Sequence, residues 1–348
     1  MKPYTPTSTT PDILGLSRFA RVELCHQPTP IEPMIRLSEH LGNAQYFVKR
    51  DDCTGLAGGG NKTRKLEFLV GDALSQNADT LVTQGAVQSN HVRQTAAAAC
   101  RYNLKAHALL ERRIANTPRA YEHTGNVLLD RLFGTHIEFR EPGLDMNAEA
   151  QARCTQLLQN GAKPYFIPGG GSNEIGALGY VACAQEIMHQ SAAMAMDFDW
   201  IVLATGSTGT QAGLVAGLHQ LGYSGSVMGI SVRQPRDKQI KAVHGLCERT
   251  LEKLGVDDTI AINKIKVDDG FVGDGYGIPA ESTLDAISIA ARYEGLLLDP
   301  VYSGKGFAGL LSMARGDFFK PTDKVLFLHT GGSSALFAYE ETLVDYVS

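Results

Sequence analysis

Gly58-Gly59-Gly60-Asn61-Lys62-Thr63-Arg64-Lys65 sets an amine beside a stretch of backbone without Cβ atoms, which a ligand can approach closely. A lysine so placed can condense with a carbonyl carbon, so Lys62 is a candidate covalent anchor for a cofactor, with polar Asn61 beside it. The plainer reading makes Lys62, Arg64 and Lys65 solvated charges opening a helix, since Leu66, Leu69, Val70, Ala73 and Leu74 follow at helical spacing. Gly55 and Gly60 have the spacing of a nucleotide-binding P-loop, but Asn61 separates Gly60 from the lysine and no apolar strand runs into the loop, so that reading is set aside.

A second group follows the apolar run Trp200–Ala204: Thr205-Gly206-Ser207-Thr208-Gly209-Thr210-Gln211-Ala212-Gly213, opening a helix of small residues. Uncovered N–H groups, the hydroxyls of Ser207, Thr208 and Thr210, and a positive helix N-terminus make a phosphate cradle. Its glycines, at 206, 209 and 213, miss the dinucleotide spacing, so a smaller phosphorylated cofactor is expected, or else a plain strand-to-helix turn. In Gln88-Ser89-Asn90-His91-Val92-Arg93-Gln94, Ser89 or His91 could move protons and Asn90 could hold a phenolic oxygen; alternatively Ser89 or Asn90 only caps a helix. Tyr276, Tyr302 with Ser303, and Thr330 each stand beside glycine or proline after an apolar stretch, as in one site assembled from several strand ends.

The elements that must position these groups alternate. Helices are expected near Met34–Leu41, over 63–75, about 90–102, near 120–133, near Asn147–Asn160, and over 176–190, 210–220, 236–254, 281–294 and 304–315. Strands are expected at Gln45–Lys49, Thr80–Gln84, Lys105–Leu110, His136–Phe139, Pro164–Ile167, Trp200–Ala204, Val227–Ser231, Leu296–Leu298 and Lys324–His329. Such alternation predicts an α/β fold of two lobes, each a mainly parallel sheet flanked by helices.

With 348 residues the chain is long enough for two such lobes. Its 37 glycines exceed the usual share of about 7% and cluster at 55–60, 169–179, 204–217, 270–277 and 331–332. A formal net charge of -5 with scattered Lys and Arg gives no footprint for nucleic acid or an anionic membrane, so the expected partner is a small molecule. The first eleven residues lack the apolar core of a signal peptide, and no run of about 18 apolar residues occurs, which predicts a soluble cytoplasmic protein. Six cysteines show no C-x-x-C and no metal-ligand spacing with the ten histidines, so no metal is expected; only Cys53, beside the glycine run, could face a site.

A lysine amine, a phosphate cradle and hydroxyl donors together are what pyridoxal 5'-phosphate needs. A neutral hydroxyl at its ring nitrogen would leave the ring unprotonated and favour eliminations that expel a β-substituent promptly. Gly-Gly-Asn-Lys-x-Arg-Lys-Leu-Glu-Phe-Leu at 59–69, Gln-Ser-Asn-His-x-Arg-Gln at 88–94, the Thr-Gly-Ser cradle, Gly-Tyr-Gly-Ile-Pro, Leu-Asp-Pro-Val-Tyr-Ser and His-Thr-Gly-Gly resemble the D-cysteine desulfhydrase / 1-aminocyclopropane-1-carboxylate deaminase family. Cys53-Thr-Gly-Leu, Asp145-Met-Asn-Ala-Glu, Ile167-Pro-Gly-Gly-Gly-Ser-Asn and Ala177-Leu-Gly-Tyr look most like its L-cysteate sulfo-lyase branch.

The resemblance implies a tryptophan-synthase-β-like (fold type II) architecture, with a large lobe of 1–62 and 171–348, a small lobe of 63–170, and a homodimer. It implies that Lys62 forms the Schiff base and moves the Cα proton, that Asn90 bonds the cofactor's 3′-oxygen, that Gly206 to Thr210, Gly209 included, hold the phosphate, and that Ser303 faces the pyridine nitrogen. Ser89, His91, Tyr276, Tyr302 and Thr330 would line the substrate side. Cyclopropane deaminases carry a glutamate where this chain has Ser303, which turns the expectation from ring opening to β-elimination. The expected reaction releases sulfite or sulfide from a cysteine-like amino acid and leaves pyruvate and ammonia, with L-cysteate first, D-cysteine second, and a cyclopropane deaminase or a non-catalytic cofactor carrier behind them.

Overall fold

Apolar runs bounded by glycine-rich loops form two separate sheets in the computed structural model, which describes residues 11–347. The larger sheet has the order β1 (Ile31–Pro33), β2 (Gln45–Lys49), β10 (Lys324–Leu328), β7 (Trp200–Thr205), β8 (Ser226–Ser231) and β9 (Lys266–Asp268). Only β1 runs antiparallel to its neighbour. Side chains alternate across each strand: Ile201 and Leu203 of β7 pack with α6 (Glu174–Ala193), α7 (Gly209–Gln220) and α8 (Arg236–Lys253). Val202 points the other way, among residues of α1 (Ile35–Leu41), α9 (Glu281–Glu294) and α10 (Ser303–Arg315). A sheet covered on both faces needs strands apolar at every position, which is how β7 and β10 read.

The smaller sheet is wholly parallel, in the order β5 (His136–Arg140), β4 (Lys105–Glu111), β3 (Thr80–Ala86) and β6 (Pro164–Ile167). On one side, Leu81 and Ile167 meet Leu66 and Leu69 of α2 (Lys62–Ser75) and Ala98 of α3 (Asn90–Arg101). On the other, Val82 and Leu109 meet Met146 and Ala150 of α5 (Met146–Gln159). No helix of the described residues is long and apolar enough to cross a membrane.

Two expected elements differ. Leu296–Leu298 is not a strand: Gly295 (φ 66°) ends α9 in the left-handed region, Leu296 N bonds back to Ala290 O, and the apolar side chains serve the core without joining a sheet. The helix expected near 120–133 is broken into a short 3₁₀ turn (Arg119–Glu122) and α4 (Gly125–Leu132). At the break, Gly125 has φ 57°, and the Gln88 side chain fills the space, accepting from Asn126 N at 2.9 Å. The edge strands β1 and β9, three residues each, were too short to show a period.

The first turn of α2 is fixed from behind by buried charge. Arg64 donates to Asp51 Oδ1 and Oδ2, each at 2.8 Å, and to Glu186 Oε1 at 2.9 Å and Oε2 at 3.0 Å. Tyr180 donates to Asp51 Oδ2 at 2.6 Å, and Lys49 is paired with Glu186. Burial alone would raise the Glu186 carboxyl, yet Arg64 and Lys49 hold it down at about 2. Arg64 is therefore no solvated helix-start charge. Close backbone contact reinforces the arrangement: a Cβ on Gly179 of α6 would lie 2.3 Å from Arg64 O, and one on Gly213 of α7 would lie 2.1 Å from Ala177 O.

Arg64→Met should cost about 3–5 kcal/mol in urea unfolding, because it leaves buried Asp51 without its cation and Glu186 with Lys49 alone; a loss below about 1 kcal/mol would show the network to be dispensable. Because the folded-state value of Glu186 is depressed, its contribution is complete above its ordinary value of 4.5 and is lost as the pH falls through about 2.

Candidate active site

The carboxyl ends of parallel strands from both sheets open into one cleft of about 300 Å³, the position where ligands bind open α/β sheets. Beyond β7 come Gly206, Ser207 and Thr208; beyond β10, Thr330; beyond β3, Ser89, Asn90 and His91. Asn61, Lys62, Thr210, Tyr276 and Tyr302 also line it. Gly209 and Ser303, two of the expected site residues, are not among the lining residues.

Lys62 stands at the head of α2, where burial lowers its ammonium to about 8 against the opposing charge of Asp299. Roughly a tenth is thus free amine at neutral pH, far more than for an ordinary lysine. Asn61 Nδ2 donates to Thr210 Oγ1 at 2.9 Å and so ties the lysine loop to the cradle. In the cradle, Thr208 holds φ 72° and ψ −45°, the centre of a tight γ-turn closed by Gly209 N donating back to Ser207 O at 3.0 Å.

Beneath this surface lies Lys65, one helical turn from Lys62 and fully buried. Its Nζ donates to Gly170 O at 3.1 Å and stands 3.4 Å from Ser172 Oγ, and no carboxylate pairs with it among the described residues. Burial, then the charge of Lys62, pushes its ammonium well below the usual lysine range. A Cβ on Gly209 would come within 2.8 Å of Ser172 Oγ and 3.0 Å of Lys65 Nζ, so Gly209 leaves the cation open to the cradle from behind. A buried cation without an anion, under a rim of hydroxyls and amides, fits a phosphate monoester. The spacing i, i+3 from Lys62 is the signal in the sequence, and a helix-start charge there is also consistent with it.

At the N-terminus of α3, Ser89 Oγ accepts from Val92 N at 3.2 Å. Asn90 Oδ1 accepts from Asn126 Nδ2 at 3.0 Å, which turns the Asn90 amide donor toward the cleft. His91 is neutral, its imidazolium disfavoured by burial and then by Lys62 and Lys65. Thr83 gives its hydroxyl proton to Ile167 O at 2.9 Å and meets His91 Nε2 at 2.8 Å, so the hydrogen belongs on Nε2. His91 Nδ1 is then a bare, buried acceptor.

On the opposite wall the Tyr276 and Tyr302 hydroxyls share a short hydrogen bond, and burial keeps both phenols protonated. Ser303 is fully buried behind them: its Oγ donates to Asp299 Oδ1 at 2.7 Å, with Gly331 O at 3.1 Å, and accepts from Asp299 N at 2.8 Å. Its single proton is committed to a carboxylate. Two arginines that no motif flagged, Arg113 beyond β4 and Arg233 beyond β8, line the cleft as well. Cys53 is exposed and lies outside it. Elsewhere His107, His136 and Glu138 come within 4.8 Å, brought together by the β4–β5 register, but Glu138 is already paired with Arg140 and Arg153.

A family described as pyridoxal-phosphate dependent enzyme matches residues 22–331. A solved structure of an ACC deaminase homologue is 38% identical, covering 95% of this chain and 97% of that one, with a TM-score of 0.86. A hydrogen sulfide-producing enzyme from Fusobacterium nucleatum (14% identity, 89% and 96% covered, TM-score 0.62) and O-ureido-L-serine synthase (18%, 90% and 92%, 0.63) share the fold. The likeness in sequence and in architecture extends over nearly the whole chain: it belongs to the pyridoxal-phosphate dependent enzyme family, with that family's two-lobed fold type II architecture and pyridoxal 5'-phosphate as its cofactor.

Proposed function

We propose that the chain is a β-eliminating carbon–sulfur lyase that converts a cysteine-like amino acid to pyruvate and ammonia, with L-cysteate as first substrate and D-cysteine as the alternative. The observation that carries this reading is the absence of any Asp or Glu from the residues lining the cleft. A ring nitrogen with no carboxylate lining its cleft would stay unprotonated, which disfavours ring opening and favours prompt loss of a leaving group. The local motifs that resemble the L-cysteate branch favour this order of substrates.

Bound pyridoxal phosphate supplies an electron sink for the charge left at Cα. Lys62 is placed to bind the cofactor carbonyl and, once released, to take the Cα proton. Ser207, Thr208, Thr210 and the α7 N-terminus would hold the phosphate, with Lys65 as its counter-charge. The first N–H groups of α3, at Asn90 and His91, would orient the substrate carboxylate, and the Asn90 amide would donate to the phenolic oxygen. The Tyr276–Tyr302 pair donates a proton toward the departing group.

Lys62→Ala should abolish the near-visible absorbance of lysine-bound cofactor and lower turnover by about 10³-fold or more; turnover at the parent rate would refute the assignment. Assay of sulfite against sulfide from both enantiomers of cysteate and cysteine identifies the substrate, and 1-aminocyclopropane-1-carboxylate in the same assay tests the deaminase alternative.

Cofactor uptake by the apoprotein should accelerate with pH and level off above about 8, because free Lys62 amine is the attacking form and burial has lowered its value. Stopped-flow absorbance reads this directly, and an acceleration that continues toward 10.5 would mean an unperturbed lysine. Lys65→Met should weaken cofactor binding by about 10- to 100-fold in equilibrium dialysis, as for loss of a charged hydrogen bond. Pyridoxal without phosphate should show no such loss.

A further inference from the structure

We infer that Arg113 and Arg233 form a cationic recess in the substrate half of the cleft that selects amino acids bearing a second acid group on Cβ, a sulfonate above all, over those bearing a neutral thiol. The inference rests on the lyase reading and names what that site recognises.

Both residues stand two positions beyond the carboxyl end of a strand, β4 in one sheet and β8 in the other, so the two sheets bring them to one cleft. Arg113 donates through Nε to Glu111, and its guanidinium lies over the Tyr276 ring at 5.0 Å from the centroid. Glu111 is held in turn by Gly143 N at 3.3 Å. Those contacts fix the plane of the Arg113 fork and leave Nη1 and Nη2 without a protein hydrogen bond. Arg233 is exposed and has no ion pair or hydrogen bond to protein among the described residues.

The cleft's other anion sites are already assigned. Lys65 and the α7 N-terminus suit the cofactor phosphate, and the α3 N-terminus suits the substrate carboxylate. Two guanidinium groups remain: Arg113, over the Tyr276 ring and paired with Glu111 through Nε alone so that both Nη groups stay open, and Arg233, with no carboxylate lining the cleft beside it. A planar guanidinium fork pairs two N–H groups with two oxygens of an oxyanion, a match that a sulfonate satisfies and a thiol does not. His91 offers only a lone pair at Nδ1, so donors to a sulfonate come from the arginines and from hydroxyls such as Ser89 and Thr330. Arg113, mostly buried, should weigh more than the solvent-screened Arg233.

The test uses the cofactor-loaded enzyme and the ratio of kcat/KM for L-cysteate to that for 3-chloroalanine, whose β-substituent is neutral. Arg233→Gln should lower this ratio about tenfold and Arg113→Gln about a hundredfold, with Arg233→Lys recovering part of the loss. Calorimetric binding of 3-sulfopropanoate, an unreactive dianion, should weaken in parallel. Arg113→Gln disrupts a partly buried ion pair, so the exposed Arg233→Gln keeps the test valid should the former fail to fold. An unchanged ratio in folded Arg233→Gln and Arg113→Gln, or an equal loss for both substrates, overturns the recess. A parent enzyme that eliminates from 3-chloroalanine but neither turns over L-cysteate nor binds 3-sulfopropanoate also overturns it while leaving the lyase standing. One that turns over no β-substituted amino acid overturns the lyase reading, and the 3-sulfopropanoate titration of parent and variants then still decides the recess.

Discussion

Two carboxylates from distant parts of the chain, Asp51 and Glu186, close on the guanidinium of Arg64, and the orientation of α2 follows from that closure. Arg64 points backward into the protein, while Lys62 and Lys65, two residues before and one after, are carried to the side of the cleft and its floor. A buried ionic cluster is a poor source of net stability, since desolvation consumes much of its attraction. It is a good source of register, because no neighbouring residue can replace the guanidinium without stranding Asp51. Gly179 and Gly213 complete the constraint by letting α6 touch both α2 and α7, the helices that begin with the lysine and at the cradle.

The cleft so formed is electrostatically one-sided. Lys62, Arg113 and Arg233 line it, Lys65 lies beneath it, and two helix N-termini point into it. Asp299 and Glu111 are near but stand behind the surface, bound to Ser303 and to Arg113. Excess positive potential suits a cofactor and a substrate that each carry negative charge, and it lowers the pKa of every amine within reach.

Local pattern carried much of this into the sequence. Lys62 after its glycines, the cradle after β7, and Ser89-Asn90-His91 after β3 are each a strand, a loop and a helix start within a few residues, so their geometry is written in contiguous chain. Lys65 was visible as a residue but not as a buried one, because burial depends on Gly170 and Ser172, over a hundred residues away. Arg113 and Arg233 had no motif at all: each is an ordinary loop arginine until two sheets set them in one cleft. Leu296–Leu298 shows the opposite failure, an apolar triplet whose burial, in the absence of strand partners, imitates a strand.

Thr208 carries a further meaning. At φ 72° a glycine would rest without steric penalty, whereas a β-branched residue endures roughly 1–2 kcal/mol of backbone strain. What the chain keeps for that strain is a hydroxyl at the cradle and a stiffer loop, since a glycine there would wander among many conformations before meeting its ligand. Thr208 is thus a point where tolerance to heat and readiness to bind oppose each other. A laboratory search for hardier variants would drift toward glycine at this position and lose grip on the phosphate as it did so.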